Sequence, residues 1–202
     1  MRCLLCGKEM GSDDLYDLFL SDDVICRKCR SAWERTPHEI RLDGVRVEAP
    51  WIYNDAFASC LLQYKELYDE ALFPVFLQCD RKKLQRKYHK YRVFLMPSAK
   101  ANRERRGFNH LAKMFQGIGK TIEDPFELVN EMDQKKKTGR QRERMTDNIR
   151  LKEGVSTKGK ILLCDDTMTT GSTLRGALHC LGKTKDVRIM CASLNKGWFE
   201  KI

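Results

Sequence analysis

Long hydrophobic runs are missing from this 202-residue sequence. No stretch approaches the roughly 20 consecutive apolar residues that a membrane-spanning helix requires. The first ten residues, MRCLLCGKEM, lack the apolar segment of a secretory signal peptide. Internal repeats are also missing, which excludes a repeat architecture. We therefore expect a cytoplasmic protein with no membrane insertion.

Cysteine, in contrast, is abundant, with nine in the chain. Cys3-x2-Cys6 is followed after nineteen residues by Cys26-x2-Cys29, a spacing typical of a four-thiolate zinc site. Iron in the same cage and two disulfides are the alternatives, and a cytoplasmic location disfavours the disulfides. The other five are interpreted as reduced, buried apolar residues: Cys60, Cys79, Cys164, Cys180 and Cys191.

Charge and length indicate two parts of unequal size. Residues 1–60 carry 8 basic against 11 acidic side chains, whereas residues 61–202 carry 30 against 17. We expect a four-cysteine zinc module in residues 1–35, which has too few apolar residues for its own core and needs the metal. Residues 36–202 would form the main domain, and its basic character suggests an anionic partner.

Arg81 to Arg92 form the densest basic cluster, with seven Lys or Arg in twelve positions and no acid. Interleaved tyrosines and cations are typical of proteins that bind single-stranded nucleic acid, because rings stack on bases while charges follow the phosphates. A solvated helix face is the alternative. The candidate nucleic-acid residues are Arg81, Lys82, Lys83, Arg86, Lys87, Tyr88, Lys90, Tyr91 and Arg92.

Strands and helices are predicted to alternate, which indicates an α/β fold with a mostly parallel sheet. Apolar runs predict strands at Val93–Met96, Phe126–Val129, Ile161 onward and Val187–Leu194, and an extended, bent segment at Val45–Tyr53. Helices are predicted after an Asp55 cap, from Glu70 to about Tyr88, from Arg105 to Ile118 and from Ser172. Trp33–Leu42 is expected to be helical or irregular, and residues 131–152 a long mobile loop.

The run ILLCDDTMTTGSTLRGAL, Ile161 to Leu178, is the most informative segment. It predicts a buried strand that ends on Asp165 and Asp166 and turns through a Thr-Gly-Ser loop into a helix. Amides and hydroxyls at such a helix N-terminus bind phosphate, and Gly171 allows close backbone approach. Ionised carboxylates accept hydrogen bonds from vicinal ribose hydroxyls. The segment therefore predicts a 5-phosphoribosyl site, against the alternative of an ordinary capped turn.

This segment resembles the phosphoribosyl pyrophosphate (PRPP) loop of type I phosphoribosyltransferases. Together with the four cysteines, ALFPVFLQ, FLMPSAKANRERRGFNHLAK and KKKTGRQRERMTDNIR, it makes nearly the whole chain resemble the ComF family of late competence proteins, ComFC type. The most specific parts after the PRPP loop are Arg105–Asn109 and the spacing of Thr138, Gln141, Arg144 and Asn148. The resemblance implies a type I phosphoribosyltransferase-like parallel sheet flanked by helices, with a small N-terminal zinc module of four cysteines.

The family resemblance also implies a function. It implies a role in natural transformation, with single-stranded DNA and a ComFA-type ATPase translocase as partners. It implies a PRPP ligand whose ribose hydroxyls meet Asp165 and Asp166 directly or through magnesium. Thr169, Thr170, Gly171, Ser172 and Thr173 would hold the 5-phosphate. Ser98 would start the pyrophosphate loop, and Arg103, Arg105 or Arg106, with basic residues of 135–144, would contact the pyrophosphate.

Two positions depart from the pattern of related proteins. Ser98 stands where the family often has histidine, which weakens the assignment of the pyrophosphate loop. Thr169 stands where purine phosphoribosyltransferases usually have an aspartate thought to act as general base. His110 is a candidate replacement, although a lone histidine on a helix is more often a satisfied core or surface residue. The sequence thus supports PRPP binding more than transfer, and active phosphoribosyl transfer to a base or another acceptor remains the alternative.

Overall fold

A seven-stranded sheet forms the centre of the protein in the computed structural model, which describes residues 1–10, 23–129, 148–182 and 186–200. Its strands are β1 (Ile40–Leu42), β2 (Val45–Glu48), β3 (Trp51–Ile52), β4 (Arg92–Leu95), β5 (Thr121–Glu123), β8 (Ile161–Met168) and β9 (Val187–Leu194). Two further strands, β6 (Phe126–Leu128) and β7 (Ile149–Leu151), pair with each other as a separate antiparallel ribbon.

The sheet order is β1-β2-β9-β8-β4-β5, and β3 also pairs with β9. The β1–β2 pair is antiparallel, and the other pairs of this sheet are parallel. The central strands β8 and β9 are almost entirely buried, as expected for parallel strands covered on both faces. The predicted α/β fold with a mostly parallel sheet is confirmed.

Seven α-helices occur in the described part of the chain: α1 (Arg27–Ser31), α2 (Asp55–Glu66), α3 (Phe73–Leu77), α4 (Arg81–Tyr88), α5 (Lys100–Arg106), α6 (His110–Met114) and α7 (Ser172–Leu181). Short 3-10 turns lie at Glu70–Leu72, Gln78–Asp80 and Lys196–Trp198. Over the described ranges, none of the helices has the length and apolar character needed to cross a membrane.

Several predicted helix boundaries were wrong. The helix predicted from Arg105 to Ile118 is two helices, because α5 ends at Gly107 in a left-handed conformation (φ 79°). Asn109 then caps α6 by accepting a hydrogen bond from the Ala112 amide. Asn54, rather than Asp55, caps α2, since its side chain accepts from the Phe57 amide at 3.0 Å. The Glu70–Tyr88 stretch is divided between α3, α4 and two 3-10 turns.

The strand predictions also needed correction. Ile40–Leu42, expected to be helical or irregular, is the antiparallel edge strand β1. Thr121–Glu123 is a strand of the main sheet that the apolar pattern did not predict, because only Ile122 in it is strongly apolar. The predicted mobile loop contains β7 at its end, and its residues 131–147 lie outside the described part of the chain.

The cysteine-containing segment packs against the α/β core through Arg30. Arg30 is 8% exposed and donates two 2.7 Å hydrogen bonds to Asp23 and one of 2.9 Å to the Val75 carbonyl. Its guanidinium carbon lies 4.8 Å from the ring centroids of both Trp33 and Trp51, within cation–π range. A division into residues 1–35 and 36–202 stays a prediction, but one continuous apolar cluster contains residues from both.

Candidate functional sites

The four predicted metal ligands lie together. The Sγ atoms of Cys3, Cys6, Cys26 and Cys29 all fall within 4.8 Å of one another. The Cys6 and Cys26 sulfurs are 3.7 Å apart, far beyond the roughly 2.05 Å of a disulfide bond. All four thiols are free, so the disulfide alternative does not describe this structure. The cluster could hold a metal ion such as zinc, which takes four thiolates in a tetrahedron.

Local hydrogen bonds prepare this cluster for a cation. Burial raises the pKa of the Cys3 thiol, but the backbone amides of Cys26, Cys6 and Leu5 outweigh this effect and lower the pKa to about 7. Burial and the neighbouring thiols raise the pKa of Cys29. Because zinc binds thiolates, Cys3 is the ligand most readily available at neutral pH, and metal binding would have to deprotonate Cys29. The donor set fits the predicted metal.

The remaining cysteines are less uniform than predicted. Cys60, Cys164 and Cys191 are buried, as expected. Cys79, in contrast, is exposed, and its thiol donates to Asp23 Oδ2 at 3.0 Å. Cys180 is half-buried and donates to the Ile149 carbonyl.

The acidic pair lies inside β8 rather than at its end, since the strand continues to Met168. Asp166 is 8% exposed and faces helices α2 and α6. Lys65 Nζ, from the last turn of α2, lies 2.8 Å from Asp166 Oδ2. His110 Nε2, from the start of α6, lies 2.8 Å from the same oxygen. The carboxylate therefore has two donors from distant parts of the chain.

Arg106 fixes the protonation state of His110. Its Nη1 lies 2.9 Å from His110 Nδ1, and its Nε donates to the Lys65 carbonyl at 2.9 Å. Arginine has only donors, so His110 Nδ1 must accept and the ring proton must be on Nε2, which donates to Asp166. Burial also lowers the pKa of His110, although Asp166 acts in the opposite direction, and the ring is neutral at neutral pH.

The two aspartates of the pair differ in charge. For Asp166, burial raises the pKa, but the His110 hydrogen bond and the Lys65 charge lower it to below its ordinary value. For Asp165, burial and the neighbouring Asp166 charge raise the pKa to about 8. Asp166 is therefore the ionised member of the pair, whereas burial and the Asp166 charge favour the protonated form of Asp165. A protonated Asp165 can donate a hydrogen bond as well as accept one.

The predicted phosphate loop connects β8 to α7 as expected. Thr169, Thr170 and Thr173 are exposed, and Ser172 is half-buried at the helix start. Gly171 has φ +75°, and a Cβ there would lie 3.0 Å from Leu42 Cδ1, so the position requires glycine.

Two side chains hold the loop backbone. Trp198 Nε1 donates to the Thr169 carbonyl at 2.7 Å, and Arg175 Nη1 donates to the Thr170 carbonyl at 2.9 Å. The carbonyl oxygens of Thr169 and Thr170 therefore face donors within the protein. The arrangement leaves exposed hydroxyls beside the positive end of a ten-residue helix.

Of the residues predicted to contact pyrophosphate, only some lie near the acidic pair. Ser98 follows β4, whose Leu95 pairs with Cys164 of β8, so it lies near the same carboxyl edge of the sheet as the acidic pair. Arg106 is 7% exposed, and its Nε and Nη1 are bonded to Lys65 and His110, so its contact with pyrophosphate stays a prediction. Arg103 pairs with Asp124, and Arg105 pairs with Glu66 at 3.0 Å. The Lys100 side chain and residues 135–144 lie outside the part of the chain that the structure describes.

The two tyrosines of the basic cluster belong to the protein interior. Tyr88 is 2% exposed, and its hydroxyl donates to Glu48 Oε2 at 2.6 Å. Tyr91 is half-buried, donates to Asp186 at 3.1 Å and packs edge-on against Tyr88. Leu84 and Tyr88 are four residues apart on α4, so both lie on its buried face. The prediction that Tyr88 stacks on a base was therefore wrong.

Several of the cluster's cations contact acceptors within the protein. Lys87 pairs with Glu39 at 3.1 Å and with Glu48 at 2.5 Å. Arg92 pairs with Glu123 at 2.6 Å. Arg81 is half-buried and donates to the Gln116 carbonyl at 2.6 Å. Lys82, Lys83, Arg86 and Lys90 are exposed and are the candidates for a polyanion, although Lys83 also lies 4.0 Å from Glu48 and Arg86 donates to the Lys82 carbonyl.

No protein-family model matches the chain. Two curated relatives do. The competence protein ComFC of Streptococcus pneumoniae is 27% identical, covering 93% of this chain and 97% of its own length. The competence protein ComFC of Bacillus subtilis is 26% identical, covering 89% of this chain and 88% of its own length. The chain is therefore similar to ComFC over about nine tenths of its length. The resemblance to the ComF family inferred from the motifs is thereby confirmed.

Lys65 is the residue of the acidic site that sequence reasoning missed. It is one lysine on a polar turn of α2, 101 residues from Asp166, and no local pattern distinguishes it from a solvated lysine. The sequence makes His110 a candidate base, whereas the structure shows both of its ring nitrogens hydrogen-bonded inside the protein.

Proposed function

We propose that this protein is a competence protein that handles single-stranded DNA in natural transformation and binds a phosphoribosyl ligand at the acidic pair. The observation that carries the proposal is similarity to two competence proteins over about nine tenths of the chain. The proposal includes the partners that the family resemblance implies, namely DNA and a ComFA-type ATPase translocase. It also includes zinc in the cluster of four cysteines.

The loop and the acidic pair support the phosphoribosyl part of the proposal. In this proposal, the hydroxyls and amides of Thr169 to Thr173 bind the 5-phosphate at the start of α7. Asp165 and Asp166 bind the ribose hydroxyls. A singly charged pair suits this role, because a protonated Asp165 and an ionised Asp166 together offer both a donor and acceptors.

Magnesium enters this proposal with the ligand rather than on the acidic pair. Mg²⁺ prefers six oxygen ligands in near-ideal octahedral geometry. Asp166 Oδ2 already accepts hydrogen bonds from Lys65 and His110. Asp166 Oδ2 is therefore already occupied, and in this proposal the ion is bound by the pyrophosphate of PRPP.

Binding is better supported than transfer. Thr169 has a hydroxyl where a general base would need a carboxylate. His110 is neutral, but its Nδ1 lone pair accepts from Arg106, so it is not available to take a substrate proton. Active transfer of the phosphoribosyl group to a base or another acceptor is the alternative, and it predicts pyrophosphate release from PRPP.

A PRPP titration tests the proposal. Thr173→Val removes one exposed hydroxyl at the phosphate site, and hydrogen bonds to charged groups are worth about 1.5–3 kcal/mol, so PRPP should bind about tenfold or more weakly. Thr121→Val is the matched control, because Thr121 begins β5 at the opposite end of the parallel sheet. Equal PRPP affinity for all three proteins would contradict this site. Pyrophosphate assayed in the same samples, with a panel of acceptor bases, separates binding from transfer.

A further inference from the structure

Lys65 places its Nζ directly against the acidic pair. Its Nζ lies 2.8 Å from Asp166 Oδ2, and its side chain is 26% exposed. Arg106 donates to the Lys65 carbonyl at 2.9 Å, which ties the end of α2 to the buried Arg106–His110–Asp166 chain. The backbone of Lys65 is thus held in place by Arg106, while part of its side chain is exposed to solvent at the edge of the site.

The charges around the pair have consequences for an anionic ligand. An acidic pair without a counter-ion would repel a sugar phosphate, and at close range in a protein such charges interact strongly. Here the Asp166 charge faces the Lys65 ammonium, and the Arg106 guanidinium lies one residue further along the hydrogen-bonded chain. Among the described residues, both hydrogen bonds to the Asp166 side chain end on Oδ2, so Oδ1 can face a ligand hydroxyl.

We propose that Lys65 is a ligand-binding residue that serves as the built-in counter-ion of Asp166, so that the sugar-phosphate part of the ligand binds without a divalent cation. The inference rests on the proposed phosphoribosyl site and adds a residue to it. A lysine ammonium has three donors. One is used by Asp166, and the exposed part of the side chain lets another reach a hydroxyl or phosphate oxygen of the ligand.

Ribose 5-phosphate is the discriminating probe, because it has the sugar phosphate of PRPP but no pyrophosphate to bring magnesium. Its affinity is measured by calorimetry in metal-free buffer and again with saturating Mg²⁺. Metal is removed from the buffer by a resin rather than by a chelator in the sample, which would compete for an ion held by the four cysteines. The proteins are wild type, Lys65→Gln, Lys65→Arg and the control Lys113→Gln, which removes a surface lysine paired with Glu70.

Wild type should bind ribose 5-phosphate with the same dissociation constant, within about twofold, in both buffers. Lys65→Gln keeps a donor for Asp166 but loses the charge, so its binding should weaken about tenfold or more without Mg²⁺ and recover in part with it. Lys65→Arg and Lys113→Gln should resemble wild type. Thermal unfolding of each variant checks that it is folded.

Two results would overturn the inference alone: wild type that binds ribose 5-phosphate only with Mg²⁺, or Lys65→Gln that binds like wild type in metal-free buffer. The wild-type comparison needs no variant and decides the question even if Lys65→Gln fails to fold. Absence of binding of both PRPP and ribose 5-phosphate to wild type, with and without Mg²⁺, would overturn the proposed site and this inference with it.

Discussion

His110 donates its Nε2 proton to Asp166 Oδ2 across 2.8 Å, a contact between residues 56 positions apart. The contact depends on the break between α5 and α6, where Gly107 ends one helix and Asn109 starts the next. A continuous helix would direct His110 differently. The same break places Arg106 against His110 Nδ1, so one turn of chain determines both the position and the tautomer of the histidine.

Removing this histidine should destabilise the protein. His110→Leu leaves Arg106 Nη1 without its acceptor and Asp166 with one donor fewer, and a buried unsatisfied polar group costs about 1–3 kcal/mol. Urea denaturation measures the loss. The control is His89→Gln, because His89 is exposed and its Nδ1 lies 2.9 Å from the Arg86 carbonyl, three residues earlier in the chain. Equal stability of the two variants would mean that the buried chain of hydrogen bonds contributes nothing.

The raised pKa of Asp165 predicts a pH dependence of stability. This carboxyl has an ordinary pKa of 3.8 in the unfolded chain and about 8 in the folded protein, so between those values the folded state holds the proton more tightly. Its contribution to stability is therefore complete below about pH 4 and is lost as the pH rises toward 8. Asp165→Asn cannot titrate, and its stability relative to wild type should increase over that range.

Asp166 should act in the opposite direction. Its pKa is lowered in the folded protein, so its contribution is present above about pH 4 and is lost as the pH falls further. Denaturation curves at several pH values provide the measurement.

Parallel pH profiles for wild type and Asp165→Asn would rule out a retained proton on Asp165.

Loss of one metal ligand should affect more than the first 35 residues. Cys26→Ser is expected to abolish metal binding, measured by elemental analysis of the purified protein. Because Cys26 directly precedes α1, which carries Arg30 into the core, thermal stability of the whole chain should fall as well. Cys180→Ser is the control, since serine can still donate to the Ile149 carbonyl. A stoichiometric metal content in Cys26→Ser would exclude this cluster as the binding site.

The Arg30–Asp23 pair should contribute strongly to stability. Arg30→Met leaves a largely buried carboxylate without its partner, which typically costs about 3–5 kcal/mol. Arg46→Met removes an exposed pair with Glu39 at 3.8 Å, and such pairs contribute about 0–1 kcal/mol. Chemical denaturation of both variants tests the contrast. A small loss for Arg30→Met would show that the N-terminal segment is held by apolar contacts and metal instead.

Binding of single-stranded DNA should depend on four exposed cations of the basic cluster and not on Tyr88. If each of Lys82, Lys83, Arg86 and Lys90 neutralises one phosphate, replacing all four by Ala should reduce the slope of log affinity against log salt by about 3. Tyr88→Phe should leave DNA affinity unchanged, because the ring is buried. Fluorescence anisotropy over a salt series measures both.

A variant with the same change in total charge is the control for this surface. It replaces four exposed cations outside α4 and its C-terminal turn, namely Arg41, Arg46, Lys120 and Lys158, by Ala. If the slope of log affinity against log salt decreases equally in both quadruple variants, DNA binding follows net charge alone and the basic cluster is only a solvated face.

Local patterns in the sequence determined much of this protein. The CxxC spacing brings two thiols together on each short turn, so the cluster of Cys3, Cys6, Cys26 and Cys29 could be predicted without knowledge of the fold. The apolar run at Ile161 is buried on both faces because it lies between parallel neighbours, as its composition indicated. Gly171 has the positive φ that the turn into α7 requires.

Only the tertiary structure decided which charged and polar groups meet. The sequence does not show that Lys65 reaches Asp166, because their proximity depends on how α2 packs on the sheet. Nor does it show that Tyr88 turns inward to Glu48, since one face of an amphipathic helix becomes buried only when a partner covers it. Spacing along the chain specifies contacts within a turn or a helix. Contacts between residues 40 to 101 positions apart in the sequence arise from packing. One of them, between Lys65 and Asp166, sets the charge around the acidic pair.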